Sequence, residues 1–257
     1  MYKEYIPAVL KILEEAAKMV FNGFFSSIEV ENKDDGSPVT NVDKAVDEFL
    51  RKELSKAFPT FGFLTEESKD DLARLNKDYI WIIDPIDGTE EFVKRSHEFT
   101  TNVALAYKGE VVLGFIAVPL NNEVYYAYKD GGAYLLKEGK EEKLHVSNKT
   151  TDLIVLQSPF HDSDIERKYL EDHKDKIKEV RKAGAAYKAC LIASGKADAT
   201  YRFSCFNKEW DVAAPDILIR EAGGYLLGGD GKKITYNKVD VKNHHGYIIV
   251  NKLENLF

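Results

Sequence analysis

Asp84 closes an apolar run, Tyr79-Ile-Trp-Ile-Ile-Asp84, and Asp87 follows across Pro85-Ile86, ahead of Gly88-Thr89. Glu66-Glu67 closes a second apolar run, and Asp211 follows Trp210 far downstream. Carboxylates at the ends of buried strands carry a desolvation cost that a cation or a set of donors must offset. Folded together, they would raise one another's pKa unless a hard cation sat among them. An oxygen-only donor set with no His or Cys cluster favours Mg²⁺, with Mn²⁺ and Ca²⁺ as competitors. Pro85 fixes the turn, so the carbonyl of Ile86 is a candidate further ligand. Gly88 and Thr89, opening an expected helix, offer backbone N–H groups suited to a phosphate. Each acid taken alone has a plainer reading: Asp-Gly is a common turn dipeptide, and Asp before a helix is commonly an N-cap. Taken jointly, the array is hard to explain as turns.

Several elements must position these groups. Val9, Leu10, Ile12, Leu13, Ala16, Ala17 and Val20 recur at helical spacing after Pro7, which predicts a helix buried against a sheet. Peripheral membrane contact is the alternative. Thr40 or Asn41 caps a second helix through Val42, Val46, Phe49, Leu50 and Leu54. Phe61–Thr65 and Tyr79–Asp84 read as strands, the latter followed by a Pro-Ile-Asp-Gly-Thr turn and a short helix from Glu90. Strands are expected over Thr101–Tyr107, Val111–Val118 and Val124–Tyr128. The charged stretch Lys137–Lys143 marks either a boundary or a solvated hairpin. Beyond it, strands fall over Leu153–Gln157, Ala197–Arg202 and Tyr247–Val250. Helices fall over Asp164–Lys178, Lys188–Ala193 and Ala213–Ala222. This alternation suggests α/β layers in two subdomains, 1–143 and 144–257.

With 257 residues, 44% hydrophobic and 31% charged, the composition is that of a soluble globular chain, not a disordered or coiled-coil one. The net charge of −7 weighs against binding a nucleic-acid polymer but does not forbid a phosphate substrate. Cys190 and Cys205 are too few for a disulfide framework, so the cytoplasm is the simplest compartment. No apolar run reaches the roughly 18 residues of a spanning helix, and no signal peptide is expected.

These motifs resemble the lithium-sensitive, magnesium-dependent phosphomonoesterase superfamily of inositol monophosphatases and fructose-1,6-bisphosphatases. The resemblance rests on Trp81-Ile-Ile-Asp-Pro-Ile-Asp-Gly-Thr89 and on Trp210-Asp-Val-Ala-Ala-Pro-Asp-Ile-Leu-Ile-Arg-Glu-Ala-Gly-Gly224. Pro38-Val-Thr-Asn-Val-Asp43 and Glu66-Glu67-Ser68 fall at the expected places. The implied fold is an α-β-α-β-α sandwich. The stretch from Glu90 to Leu105, Lys188 and Arg202 look like the bacterial 3′(2′),5′-bisphosphate nucleotidase branch, where basic groups meet the nucleotide end. Two departures fall in the expected substrate wall: Gly184-Ala185-Ala186 replaces Gly-Ser-Ser, and Gln157-Ser-Pro-Phe-His161 replaces a Ser-Arg-Ser-His stretch.

The resemblance implies that Glu66, Asp84 and the Ile86 carbonyl hold one Mg²⁺, and that Asp84, Asp87 and Asp211 hold another. A third, weaker ion near Asp43 is also implied, with Mn²⁺ as a substitute and Li⁺ and Ca²⁺ as inhibitors. Glu66 and Thr89, the latter oriented by Asp43, would activate the water that attacks phosphorus in line. Glu67 would stand behind the metal ligands. Asp87, Gly88, Thr89, Gly184, Lys188, Arg202 and Asp211 would face the substrate, adenosine 3′,5′-bisphosphate, a by-product of sulfate-donor metabolism. An inositol- or sugar-phosphate phosphatase is the alternative within this chemistry, and a phosphate-binding regulator without turnover is one outside it. A homodimer is left open. His97, His161 and His244-His245 read as surface or loop histidines, Cys190 as a buried small hydrophobe, and Tyr125, Tyr126 and Tyr128 as sheet packing.

Overall fold

The computed structural model describes residues 2–161, 163–204 and 206–257; Cys205 lies outside them. Helix α1 (Ile6–Phe24) buries Ile6, Val9, Leu13, Ala16, Val20 and Phe24, the stripe that the periodicity predicts. A short ribbon, β1 (Val30–Asn32) and β2 (Pro38–Thr40), then enters α2 (Asn41–Ala57). Thr40 caps α2: its Oγ1 accepts from the N–H groups of Val42 and Asp43, and the Asp43 carboxylate accepts the Thr40 N–H at 2.9 Å.

A seven-stranded sheet follows, built from β3 (Gly62–Thr65), β4 (Tyr79–Asp87), β5 (Thr100–Tyr107), β6 (Glu110–Val118), β7 (Glu123–Tyr128), β8 (Gly132–Lys137) and β9 (Lys140–Leu144), in that spatial order. Helix α3 (Thr89–Val93) interrupts it after β4. Only β3 and β4 run parallel; the remaining pairs are antiparallel. The charged stretch 137–143 is thus a solvated hairpin between β8 and β9.

A second sheet joins β10 (Leu153–Gln157), β11 (Ile177–Lys182), β12 (Ala199–Arg202), β13 (Tyr225–Gly228) and β14 (Tyr247–Val250), in the order β11-β10-β12-β14-β13. Helices α4 (Asp164–Asp172), α5 (Tyr187–Ala193) and α6 (Glu209–Glu221) intervene. The helix expected over Asp164–Lys178 stops at Asp172, and Ile177 and Lys178 instead open β11, parallel to β10. The Lys/Glu-rich segment has a helix-forming composition, but pairing with the buried β10 overrides that preference.

Three apolar clusters define five layers. Helices α1 and α2 pack with Trp81, Ile83, Val103 and Phe115 on one face of the large sheet. Helices α5 and α6 fill the space between the two sheets, against Ile80, Ile82, Ile116, Leu156 and Ile249. Leu170 of α4 covers the far face of the small sheet with Leu153, Val155, Tyr201 and Ile248. This is an α-β-α-β-α sandwich. Helix α6 lies so close to β6 that a Cβ on Gly114 would stand 2.4 Å from Ile217 Cγ2 and 3.2 Å from the Ala214 backbone. Only glycine permits that approach. Among the described residues no helix is long and apolar enough to cross a membrane.

Candidate metal and phosphate site

Asp84 and Asp87 both lie within β4, not on a strand and a following turn as the sequence suggests. Opposite them, β5 offers Asn102 and Thr100, so β4 carries one extra residue there, a β-bulge. In a regular strand, residues three apart face opposite sides. The bulge cancels that alternation and aims both carboxylates the same way. Asp211 arrives from the first turn of α6, where its Oδ2 accepts the Lys208 N–H at 2.6 Å. Helix α6 begins at Glu209, four residues before the expected start at Ala213. Oxygens of Asp84, Asp87 and Asp211 lie within 4.8 Å of one another.

Asp84 is 1% exposed, and its Oδ1 is buried without a hydrogen-bond partner. Burial, then the charges of Glu66, Asp87 and Asp211, push its carboxyl well above the usual range. Burial likewise raises Asp211, with the Asp87 and Glu66 charges adding to it. Asp87 is pushed up to about 6 by burial, against the pull of Lys188 and of the Asn102 amide, which donates to its Oδ2 at 3.0 Å. The Ala186 N–H donates to the same oxygen at 2.7 Å. Among the described residues no lysine or arginine forms an ion pair with any of these three aspartates. Three crowded oxygen donors, one of them orphaned, fit a hard divalent cation of the Mg²⁺ kind.

Glu66 lies against Asp84, and its Oε1 accepts from Lys33 Nζ at 2.7 Å. The same ammonium donates to Glu67 Oε1 at 2.6 Å, and burial with the Glu66 charge pushes Glu67 up to about 7. Nothing along the chain singles out Lys33; its pairing with both glutamates is visible only in three dimensions. The Thr89 hydroxyl lies 3.0 Å from Asp43 Oδ1 and 3.1 Å from the Ile86 carbonyl oxygen, with one proton to give. Asp43 is 1% exposed, and burial raises its pKa against the opposing bonds from Thr40 and Thr89. One capping-box carboxylate therefore serves both the start of α2 and the hydroxyl of Thr89. Gly88 stands at φ +89°, and a Cβ there would sit 3.2 Å from both Ala185 Cβ and a Glu91 carboxylate oxygen, so the turn into α3 requires glycine.

The expected wall residues are close by but engaged. Lys188 is 4% exposed; its Nζ donates to the Ala185 carbonyl at 2.8 Å and the Ala183 carbonyl at 3.3 Å. Burial and the nearby Arg202 charge bring its pKa down to about 8. Arg202 donates to Glu166 Oε2 at 2.8 Å and to the His161 carbonyl. Gly184 gives its N–H to Glu98 Oε2 at 2.9 Å. Asn102 and Glu98 escaped the sequence reading. The signal for Asn102 was an amide opening the apolar part of a strand.

The profile of the inositol monophosphatase family matches residues 1–255. A protein of Buchnera aphidicola named 3′(2′),5′-bisphosphate nucleotidase CysQ is 31% identical over 241 residues, 92% of this chain and 89% of its own. An inositol monophosphatase of Dictyostelium discoideum is also 31% identical, over 98% of this chain and 94% of its own. The solved structure of CysQ from Bacteroides thetaiotaomicron, a bacterial member of the inositol monophosphatase family, shares the fold at a TM-score of 0.84 and 28% identity, covering 98% of this chain and 99% of its own. Matched by the family profile over nearly its whole length and by relatives above 30% identity, the chain belongs to the inositol monophosphatase family and is a phosphatase of that superfamily.

Proposed function

We propose that this phosphatase removes the 3′-phosphate of adenosine 3′,5′-bisphosphate, giving AMP and phosphate in a Mg²⁺-dependent reaction. The observation that carries the metal-dependent chemistry is the cluster of Asp84, Asp87 and Asp211, with no cation paired to it among the described residues and the buried Asp84 Oδ1 lacking any partner, beside a hydroxyl held by Asp43. The likeness to the Buchnera nucleotidase supports the nucleotide as substrate. Glu66, Asp84 and the Ile86 carbonyl would hold one ion, and Asp84, Asp87 and Asp211 the other. Bound there, Mg²⁺ acidifies water and neutralises charge on the phosphoryl oxygens.

The chain's own residues do the rest. Thr89, donating its proton to Asp43, turns its oxygen lone pairs outward to accept a hydrogen bond from the attacking water. Asp43 holds that hydroxyl in place and is itself fixed by the Thr40 cap. Gly88 and Thr89 present N–H groups to the phosphate, and Gly184 shapes the adjoining wall. Lys188 and Arg202, their donors engaged by backbone carbonyls and by Glu166, shape the field of the wall toward the second phosphate rather than grasping it directly, with Asp87 and Asp211 completing the substrate contacts. In this reading residues 1–143 carry most metal ligands, and residues 144–257 supply Asp211 and the wall, in the cytoplasm.

The Dictyostelium relative favours a second reading, hydrolysis of an inositol monophosphate. Phosphate release from adenosine 3′,5′-bisphosphate and inositol 1-phosphate, compared as kcat/KM with Mg²⁺, decides between them. A nucleotide preference of about a hundredfold, or roughly 2.7 kcal/mol of differential transition-state binding, is expected. Preference for the inositol ester would overturn the nucleotide reading and leave the metal chemistry standing.

A further inference from the structure

Helix α6 delivers Asp211 from its first turn, and that turn lacks one of its ordinary supports. Pro215 lies inside α6. It has no N–H to give to the carbonyl of Asp211, four residues before it. Side chains hold the turn instead. Glu209, 0% exposed, accepts the Asn237 N–H at 2.7 Å on one carboxylate oxygen and the Lys238 N–H at 2.9 Å on the other. The Asn243 amide donates to the Lys208 carbonyl at 3.0 Å.

The 237–238 segment is in turn gripped from the opposite side. Arg74, its side chain 1% exposed, donates through Nη1 to Asn237 Oδ1 at 2.7 Å and through Nη2 to the Lys238 carbonyl at 2.8 Å. Its Nε and Nη2 both bond Asp70 Oδ2, at 3.0 and 2.7 Å. Arg74 belongs to the connection from β3 to β4, the same connection that begins with Glu66 and Glu67. A relay anchored on the buried Arg74 and Glu209 therefore runs from the Glu66 segment, through Arg74 and the half-buried Asn237 and Lys238, to Glu209 and the turn bearing Asp211.

We infer that Arg74 and Glu209 are positioning residues that fix Asp211 against the Glu66–Asp84 side of the metal site. This rests on the reading of Asp211 as a metal ligand. A burial cost of this size serves a purpose where a ligand oxygen must be held to a fraction of an ångström, and residues behind metal ligands commonly govern affinity by ten- to a hundredfold.

The test is Mn²⁺ binding to the full-length, metal-free protein, followed by electron paramagnetic resonance of the free ion. Wild type is compared with Arg74→Met, Glu209→Gln, Asn237→Gly and, as benchmark, Asp211→Asn; urea unfolding of each metal-free variant is measured alongside. Asn237 has φ +60°, so Asn237→Gly keeps the backbone and removes the acceptor for Arg74 Nη1 together with the 3.4 Å bond to the Arg74 carbonyl, which protects the test against an Arg74 variant that fails to fold. Expected is a loss of Mn²⁺ affinity of about tenfold in Asn237→Gly and about ten- to a hundredfold in Glu209→Gln. Wild-type affinity in variants that are merely less stable would overturn the positioning role. Failure of the wild type itself to bind Mn²⁺ would overturn the metal reading and the inference with it.

Discussion

The Arg74 network and the Asp84 cluster flank the same first turn of α6, and both are withdrawn from water. Arg74 makes four hydrogen bonds to Asp70, Asn237 and Lys238, whereas Asp84 Oδ1 makes none. A buried charge whose donors are matched has little capacity left for a ligand, and removing a partner is what costs. A buried carboxylate crowded by other acids keeps an electrostatic debt that only a proton or a cation can relieve. The first arrangement marks a clamp and the second a binding site, though both are ionisable groups in the interior.

The largest expected effect comes from removing the unpaired acid. Asp84→Asn should lower phosphate release by about a thousandfold or more, as the proposed role of Asp84 in both ion sites requires. The same substitution should raise the melting temperature of the metal-free protein, because it deletes a buried charge without a partner. A metal-free Asp84→Asn protein that melts below wild type would count against the uncompensated cluster.

Arg202→Ala probes the matched kind of charge. Arg202 is 5% exposed and paired with the buried Glu166. Deleting one member of such a pair should cost about 3–5 kcal/mol in urea denaturation, with or without Mg²⁺. A change below about 1 kcal/mol would show that the pair is not the closed unit described. At a Mg²⁺ concentration about a hundredfold above the dissociation constant, wild type should gain about 2.7 kcal/mol, and Asp84→Asn much less. Equal gains in both would place the ion elsewhere.

The smallest effect is a pH dependence. Asp87 is raised to about 6 and Glu67 to about 7, chiefly by burial, above their ordinary carboxylate values. The folded metal-free protein therefore binds more protons than the unfolded chain, and these groups favour folding at low pH, an advantage lost as pH rises through 6 to 7. Protons and Mg²⁺ compete for the same oxygens. The gap in melting temperature between Mg²⁺-loaded and metal-free protein should accordingly narrow as pH falls from 7.5 to 5; a gap that holds constant would contradict this.

Much of the site was legible because its parts are local. The cap at Thr40 or Asn41, the apolar run into Asp84 and the Trp210-Asp211 pair can all be read along the chain, whereas the return bond to Asp43 that makes Thr40 the cap cannot. The bulge that co-aligns Asp84 and Asp87 cannot, since it exists only in the pairing of β4 with Asn102 and Thr100. For the same reason β11 was hidden behind a helix-like composition. Charge on Lys188 and Arg202 is written in the sequence, but their carbonyl and Glu166 partners are set by distant segments. Arg74 and Glu209 look like surface charges until the 237–238 segment closes between them.

The proposed dependence of turnover on a divalent ion held by Asp84, Asp87 and Asp211 is the feature most open to disproof. It is tested most directly by following phosphate release from adenosine 3′,5′-bisphosphate after chelation, as Mg²⁺ is titrated back. No release in chelator and saturable recovery with Mg²⁺ are expected. Undiminished release after complete chelation would contradict that dependence.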